Sequence, residues 1–453
     1  MIQRLGAERA VLVTVALGAI LAPLNSTMIA VALPQIVDDF DTTVGRAGWL
    51  VTSYLLALAV VQPVAGKLGD RHGRRMFILG GLAVFGLASL GAALAPSLPI
   101  LIGFRVAQAV SGAVVFPNGA GLIRELIAAD RRGGAFGIVG GSIALAAGLG
   151  PLLGGMLVGV GGWQAIFYVN LPLVAAALAV AWQAVPRRPG VIPPTAFDWL
   201  GSLLLAVVLG GAAALVLEGR HAPAALVPGI PLLALLAVVF VRRELRHPDP
   251  VFQPRFFSSR AFAAANAGIS SSNLAFYTVL LATPILLTRH LHWSSFQTGV
   301  ALALLSAPMV VFSPVGGRLA DRYGRRLPSV LGCVVLTAGL LPLAIAPGLS
   351  TYGLLPCLSL MGAGVGLSSA GLQASAVEAV DSAQAGVAAG LFSTSRYIGS
   401  FAGSIALARL LDDGQGLAGF HAVFAIALAG ALVSVTVTLA LPRPAAPLRV
   451  ARE

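Results

Sequence analysis

Charge is scarce in this sequence, and its densest cluster occurs twice. Pro63-Val64-Ala65-Gly66-Lys67-Leu68-Gly69-Asp70-Arg71-His72-Gly73-Arg74-Arg75 sets one carboxylate among glycines and arginines. At an offset of 251 residues comes Pro314-Val315-Gly316-Gly317-Arg318-Leu319-Ala320-Asp321-Arg322-Tyr323-Gly324-Arg325-Arg326, identical at nine of thirteen positions. A carboxylate at a helix end can accept hydrogen bonds from the free N–H groups and positive dipole of a neighbouring helix N-terminus. Gly66 and Gly73 permit close approach and a sharp turn, while Arg71, Arg74 and Arg75 suit an anionic membrane face. A contact of this kind forms in one conformation and breaks in another. The chemistry is that of a latch, shared by Asp70, Arg71 and Arg74 in one copy and by Gly317, Asp321, Arg322, Gly324 and Arg325 in the other.

Two further arginines, Arg105 and Arg396, fall inside apolar runs. There an uncompensated arginine costs at least ~2.5–3.5 kcal/mol, so each should face a cavity or a partner. The neutral polar residues in comparable positions are Asn25, Tyr54, Asn118, Asn266, Asn273, Tyr277 and Gln373. Any one of these, taken singly, is better explained by an interhelical hydrogen bond worth ~0.6 kcal/mol. Glu125, Glu218, Glu378 and Asp381 all lie at or beyond helix ends, which leaves no acid near a midplane. A cavity with arginines and no carboxylate suits a neutral or anionic amphiphile better than a quaternary cation. Gly150-Pro151 with Gly154 and Gly155 combines a kink with small faces, extended by Gly140, Gly141 and Gly148, on which helices pack closely. No nucleophile–base set and no phosphate-binding loop occurs, so neither catalytic residues nor ATP-driven chemistry is expected. The six histidines are dispersed, and neither a metal nor another cofactor is implied.

What positions these groups is a set of membrane spans. Hydrophobic residues make up 57% of the chain and charged residues 10%, too few charges to cover a soluble protein of 453 residues. The net charge of +12 is explained by membrane topology rather than by nucleic acid, and the lipid bilayer is the expected partner. Spans of about 20 residues are predicted at roughly 10–32, 46–66, 77–96, 99–121, 135–158, 164–185, 198–217, 224–241, 261–288, 297–317, 328–347, 351–374, 386–410 and 420–441. With the N-terminus inside, 23 of the 29 lysines and arginines fall on the inner side, which places both termini in the cytoplasm. The first run carries no small-residue cleavage site and reads as a retained helix. Cys333 and Cys357 read as small core residues. The repeat offset leaves room for one extra helix pair between two six-helix halves. The expected division is therefore a six-helix bundle over 1–185, an inserted hairpin with linkers over 186–258, and a second bundle over 259–453.

These motifs together resemble the major facilitator superfamily, specifically its fourteen-helix drug:proton antiporter branch. Both hairpins match its loop motif. Leu101-x3-Arg105-x2-Gln108-x3-Gly112 is similar to its fourth-helix motif, with Ala109 where glycine is usual. Gly150-Pro151-Leu152-Leu153-Gly154-Gly155 matches the fifth-helix motif associated with exporters. Gly162-Trp163-x3-Phe167-x2-Asn170-x-Pro172 and Phe197-Asp198-Trp199-Leu200-Gly201 resemble segments of the fourteen-helix branch. The resemblance implies an all-α integral membrane fold and a charge chain of Asp70, Arg74 and Glu125. It further implies export of small amphiphilic, drug-like compounds across the cell membrane by alternating access, coupled to protons and carried out by a monomer. One departure stands out: Asn25 occupies the place where the family commonly has a first-helix aspartate that couples protons. Asn25 can orient Arg105 but cannot exchange a proton with it. Coupling through Asp70 and Glu125, a proton carried by the substrate, and transport without protons all stay open. So do export of a lipid or metabolite and a receptor or scaffold that binds without turnover.

Overall fold

The computed structural model of the chain describes residues 2–128, 132–187, 197–218, 223–345, 351–381, 384–411 and 416–442. Arg131, Arg188, Arg220, Arg443, Arg449 and Arg452 of the topology count lie outside the described residues, as does most of the linker after Pro186.

The charged hairpins fix the two sharpest reversals. Gly73 has φ +96° and Gly324 φ +82°, a region in which a Cβ is strained, so each ends one long helix and the next begins within two residues. These turns join α2 (Val44–His72) to α3 (Arg74–Ala93), and α11 (Ser295–Tyr323) to α12 (Arg326–Ile345). At the opposite ends, Thr43 caps α2 through the Arg46 N–H, and Ser294 with Gln297 forms a capping box on α11. The remaining first-half helices are α1 (Ile2–Asp39), α4 (Leu98–Leu126) and α5 (Arg132–Gly161). The run predicted at 164–185 is broken at Val169 into α6 (Ala165–Tyr168) and α7 (Asn170–Ala184). Then come α8 (Trp199–Glu218), α9 (Pro223–Arg246), a 3-10 turn at Pro254–Ser258, α10 (Arg260–Leu291), α13 (Thr351–Glu378), α14 (Ala385–Leu410) and α15 (Gly416–Thr438). Thirteen helical segments among the described residues are long and apolar enough to cross a membrane. The predicted run 386–410 is helical as α14, but Ser393, Thr394, Ser395, Arg396, Ser400 and Ser404 make it too polar to join them.

Helices α1 to α7 pack among themselves, as do α10 to α15, and the two sets meet along α1–α10, α2–α14 and α5–α11. Helix α8 lies against both α2 and α14, covering one of these seams, and α9 packs on α8. Two side-chain contacts locate the relation between the sets. Ser26 Oγ meets Tyr277 Oη at 2.9 Å, and Arg289 donates to Asp38 at 3.5 Å. Each pair is 251 residues apart, the offset of the duplicated hairpin. In a two-fold arrangement only residues beside the axis can touch their own counterparts, so the pseudo-axis runs between α1 and α10.

The seams are tightest far from the hairpins. Thr52 and Ser404 hydrogen-bond at 3.0 Å near the start of α2 and the end of α14. A Cβ on Gly48 would meet the Ala408 Cβ at 2.7 Å, and one on Gly155 would meet the Ser295 carbonyl at 2.6 Å. With Asp38–Arg289, these contacts close the molecule at the end opposite Gly73 and Gly324.

Candidate functional site

At the hairpin end, Arg74 reaches across its turn to Asp70 in α2 and donates from Nε to Glu125 of α4 at 2.7 Å. The charge chain Asp70–Arg74–Glu125 is therefore assembled. The second copy builds the same triad: Arg325 donates to Asp321 at 2.6 Å and to Glu378 at 2.7 Å. Those two carboxylates push its guanidinium above the ordinary arginine range, so it stays charged. Both triads lie within one set of helices, and Asp70 takes Arg74 as its partner rather than a neighbouring helix N-terminus.

Several details of the predicted latch differ. A Cβ on Gly66 would make only an ordinary 3.4 Å contact with Pro117, and one on Gly317 would lie 3.9 Å from Ala370. The close approaches belong to their neighbours: Gly69 lies against the Asn118 amide and Gly316 against the Leu367 backbone. Arg71 is buried, not spread on a lipid surface; it pairs with Asp249 of the linker at 3.2 Å and sits 5.3 Å over the Phe197 ring. Arg75 donates to the Val185 carbonyl, and at 2.8 Å to that of Trp182, stapling α3 to the end of α7. Arg322 lies 5.3 Å over the Tyr323 ring.

Within the first set of helices, Arg105 of α4 is completely buried. Its guanidinium stacks 4.0 Å over the Tyr54 ring and 6.0 Å from that of Phe167. Nη1 donates to Gln108 at 3.1 Å and Nε to the Leu50 carbonyl at 3.4 Å, while Nη2 has no hydrogen-bond partner. No carboxylate pairs with it among the described residues. Asn25 is equally buried, and neither its amide oxygen nor its nitrogen has a partner, so it does not hold Arg105. Tyr54 donates to the Ala22 carbonyl at 3.2 Å. Tyr277, hydrogen-bonded to Ser26 beside the pseudo-axis, stands within electrostatic reach of both Arg105 and Arg396. Arg396 of α14 is half-buried, 5.8 Å over Tyr397 and 3.5 Å from Ser393.

Asparagines 118, 266 and 273 do not belong to this group. Asn118 donates to the Ala65 and Val114 carbonyls, Asn266 accepts from Ser395, and Asn273 donates to Ile269 in its own helix. Gln373 is exposed. In α5 the small residues divide between two neighbours. Gly150 and Gly154 lie against Thr27 and Met28 of α1, whereas Gly148 and Gly155 face α11, where a Cβ on Gly155 would stand 3.0 Å from the Gly299 Cα. Among the described residues nothing comes within 4 Å of a Cβ on Gly140 or Gly141, which take no part in tight packing there.

A protein-family model described as Major Facilitator Superfamily matches residues 15–404 and 268–453. The chain belongs to the major facilitator superfamily. It is 37% identical over 437 residues to an uncharacterized MFS-type transporter, YvkA, of Bacillus subtilis, covering 96% of each chain. It is 33% identical over 404 residues to the multidrug resistance protein B homolog of Mycobacterium tuberculosis, covering 87% of this chain and 74% of that one. A crystal structure of a D-xylose-proton symporter superposes with a TM-score of 0.69 at 16% identity, over 96% of this chain and 98% of that one, and shares the fold.

In this facilitator several residues of consequence carry little signal in the sequence. Glu378 completes the second triad, two residues past the position that the 251-residue offset gives for Glu125; the offset points to it closely enough to have found it. Gly299 completes the α5–α11 contact and belongs to no motif. Asp249 reads as a linker acid, and Glu244 as part of a charged helix end. Because Asn118 ties α4 to α2 and stands apart from Arg105 and Tyr54, Asn118→Leu is expected to cost about 0.6 kcal/mol of stability. A thermal melt should shift slightly, and the substrate profile measured in vesicles should stay as it was.

Proposed function

We propose that this chain is a multidrug-type exporter of the fourteen-span drug branch, moving neutral or anionic amphiphiles out of the cell by alternating access. The buried, acid-free Arg105 carries the substrate class. A fully desolvated guanidinium with one unpartnered N–H is matched by a carboxylate, phenolate or carbonyl oxygen on a flat, apolar molecule that can slide over Tyr54. The outward direction draws support from the α5 Gly-Pro motif and from the multidrug resistance protein among the relatives. With both termini cytoplasmic, the seams closed opposite the hairpins correspond to an inward-open conformation. The bundles 1–185 and 259–453 would then rock about the α1–α10 axis, the hairpin triads exchanging partners as the inner side closes. The protein works as a monomer in the cell membrane.

The test is flux in proteoliposomes. Anionic and neutral dyes or antibiotics should move, with lipophilic cations the poorest substrates, and an imposed pH gradient should accelerate them. Movement of cations alone would overturn the substrate class, and no flux of any compound would favour a receptor. Asn25→Asp gives a sharper check. A carboxylate buried there, one turn from the Ala22 carbonyl that holds Tyr54 under Arg105, would add negative charge beside that stack, so transport is expected to shift from anions towards cations. Unchanged preference would remove Arg105 as the determinant of substrate charge.

A further inference from the structure

The inserted helix pair carries chemistry that Arg105 and its neighbours do not use. Asp198, immediately before α8, and Glu244, near the end of α9, are both buried. Each keeps one oxygen bound: Asp198 Oδ1 accepts from the Gly201 N–H and from Arg243 at 2.8 Å, and Glu244 Oε2 accepts from the Phe252 N–H at 2.7 Å. The other oxygens, Asp198 Oδ2 and Glu244 Oε1, have no hydrogen-bond partner. Both point at the same place, since a Cβ built on Gly201 would overlap the two together. His247 does not intervene. Its Nδ1 accepts from the Asp249 N–H at 3.1 Å and stands 3.9 Å from Asp198 Oδ2, beyond hydrogen-bonding distance.

Two buried carboxylates facing one another cannot both be ionised at low cost. We infer that Asp198 and Glu244 form a proton-binding site, with the proton on Glu244 Oε1 donated to Asp198 Oδ2, and that its occupancy controls docking of the inserted pair on the first charged hairpin. Asp198 is the ionised member: burial acts to raise its pKa, but the hydrogen bonds from Arg243 and Gly201, with the Arg243 charge, hold it below the usual carboxylate range. A metal ion suits the place less well. Arg243 already neutralises Asp198, and among the described residues no group of three or more acids, histidines or cysteines is placed to hold one.

The site is wired to the hairpin. Glu244 holds the Phe252 N–H, and the same linker presents Asp249 and the Pro250 carbonyl to Lys67 and Arg71. Arg71 also stacks on Phe197, next to Asp198. The charged and titratable groups around the pair are thus Arg243 from α9, His247 just past its end, Asp249 from the linker, Lys67 and Arg71 from α2, and Arg255, which donates to the Leu245 carbonyl. Loss of the proton leaves two facing carboxylates, which repel and pull the linker from Lys67 and Arg71. Glu244 is neutral and the hairpin docked at low pH; docking is lost as pH rises through the pKa of the pair. Here is an acid site that can replace the aspartate missing at Asn25, although its protonation stands whether or not the chain exports drugs.

Infrared difference spectra of the purified full chain in lipid discs, titrated from about pH 5 to about pH 9, read the proton directly. A protonated-carboxyl band should titrate in this range, vanish in Glu244→Gln and survive in a control Glu125→Gln. Spin labels on the 67–73 turn and the 248–253 linker should separate as pH rises in the parent chain but not in Glu244→Gln, which mimics the protonated form. Absence of the band, or its survival in Glu244→Gln, overturns the proton site. Label distances that follow added sodium at fixed pH do the same in favour of a cation. A band without pH-dependent separation overturns the control of docking. None of these readouts requires transport, so failure of the exporter reading is seen separately in vesicle flux.

Discussion

Arg105→Met is expected to weaken the apparent affinity for anionic substrates by about tenfold or more without lowering the melting temperature. An ordinary buried charge held by a carboxylate would behave otherwise, because its removal strands the partner. Arg105 strands little. Its Nη2 has no partner, its stacking partner is the Tyr54 ring, and only the Gln108 oxygen and the Leu50 carbonyl lose a donor. Leaving those acceptors unpaired costs about 1–3 kcal/mol. Relief of a desolvated guanidinium offsets that by about 2.5–3.5 kcal/mol, so methionine of similar volume should be neutral or stabilising. Substrate recognition has no such offset. A hydrogen bond to a charged group contributes about 1.5–3 kcal/mol, which predicts an apparent affinity weakened by about tenfold to more than a hundredfold. Arg105→Lys should restore little, since an ammonium reproduces neither the planar stack on Tyr54 nor the fixed fork of donors. Vesicle flux and melts at one scan rate decide the matter. Retained anion transport in Arg105→Met would show that the arginine is structural, and a steep fall in melting temperature would show a partner that its present contacts do not account for.

Most of the architecture is legible in the sequence because membrane helices satisfy their own backbone and announce themselves by length and apolarity. The 251-residue offset goes further than composition. It predicts which residues are equivalent, and the contacts Ser26–Tyr277 and Asp38–Arg289 turn that into a position for the pseudo-axis. The hairpin turns are legible for a local reason, a required positive φ at Gly73 and Gly324. What is not legible depends on which face of a helix meets which neighbour. Asn118 and Arg105 lie thirteen residues apart on α4 and look alike as polar residues in an apolar run, yet one packs on the Ala65 carbonyl and the other on Tyr54. Gly66 and Gly69 are both motif glycines, and only the second is crowded by another helix. Arg71 and Arg74 read as equivalent basic residues; the tertiary fold sends one to Asp249 of the linker after α9 and the other to Glu125. Periodicity cannot assign such partners, because the inserted pair is joined to its docking site by chain far away in sequence.

The second large effect is expected at Gly155, where the two halves touch through backbone. In the present conformation a Cβ there would stand 2.6 Å from the Ser295 carbonyl and 3.0 Å from the Gly299 Cα, and a Cβ on Gly299 would stand 2.6 Å from the Pro151 carbonyl. These are main-chain atoms, which cannot swing aside as a side-chain tip can. Gly155→Val therefore forces α5 and α11 apart at the end opposite the hairpins. Overpacking of this kind costs about 1–3 kcal/mol, and here it is charged to only one of the two states of the cycle. At about 1.4 kcal/mol per factor of ten, the population should move by about fivefold to more than a hundredfold towards the state open at that end. Gly140→Val, on the same helix but in open space, should shift nothing. The native cysteines Cys333 and Cys357 are both buried, so paired labels introduced near Arg46 and Arg409 can report the opening against little background. A longer label distance in Gly155→Val, with transport reduced and Gly140→Val unchanged, is the expected pattern. If both variants leave the distances alone, the α5–α11 glycine contact is ordinary packing, and closure must depend on the α2–α14 seam, where Thr52 and Ser404 bond.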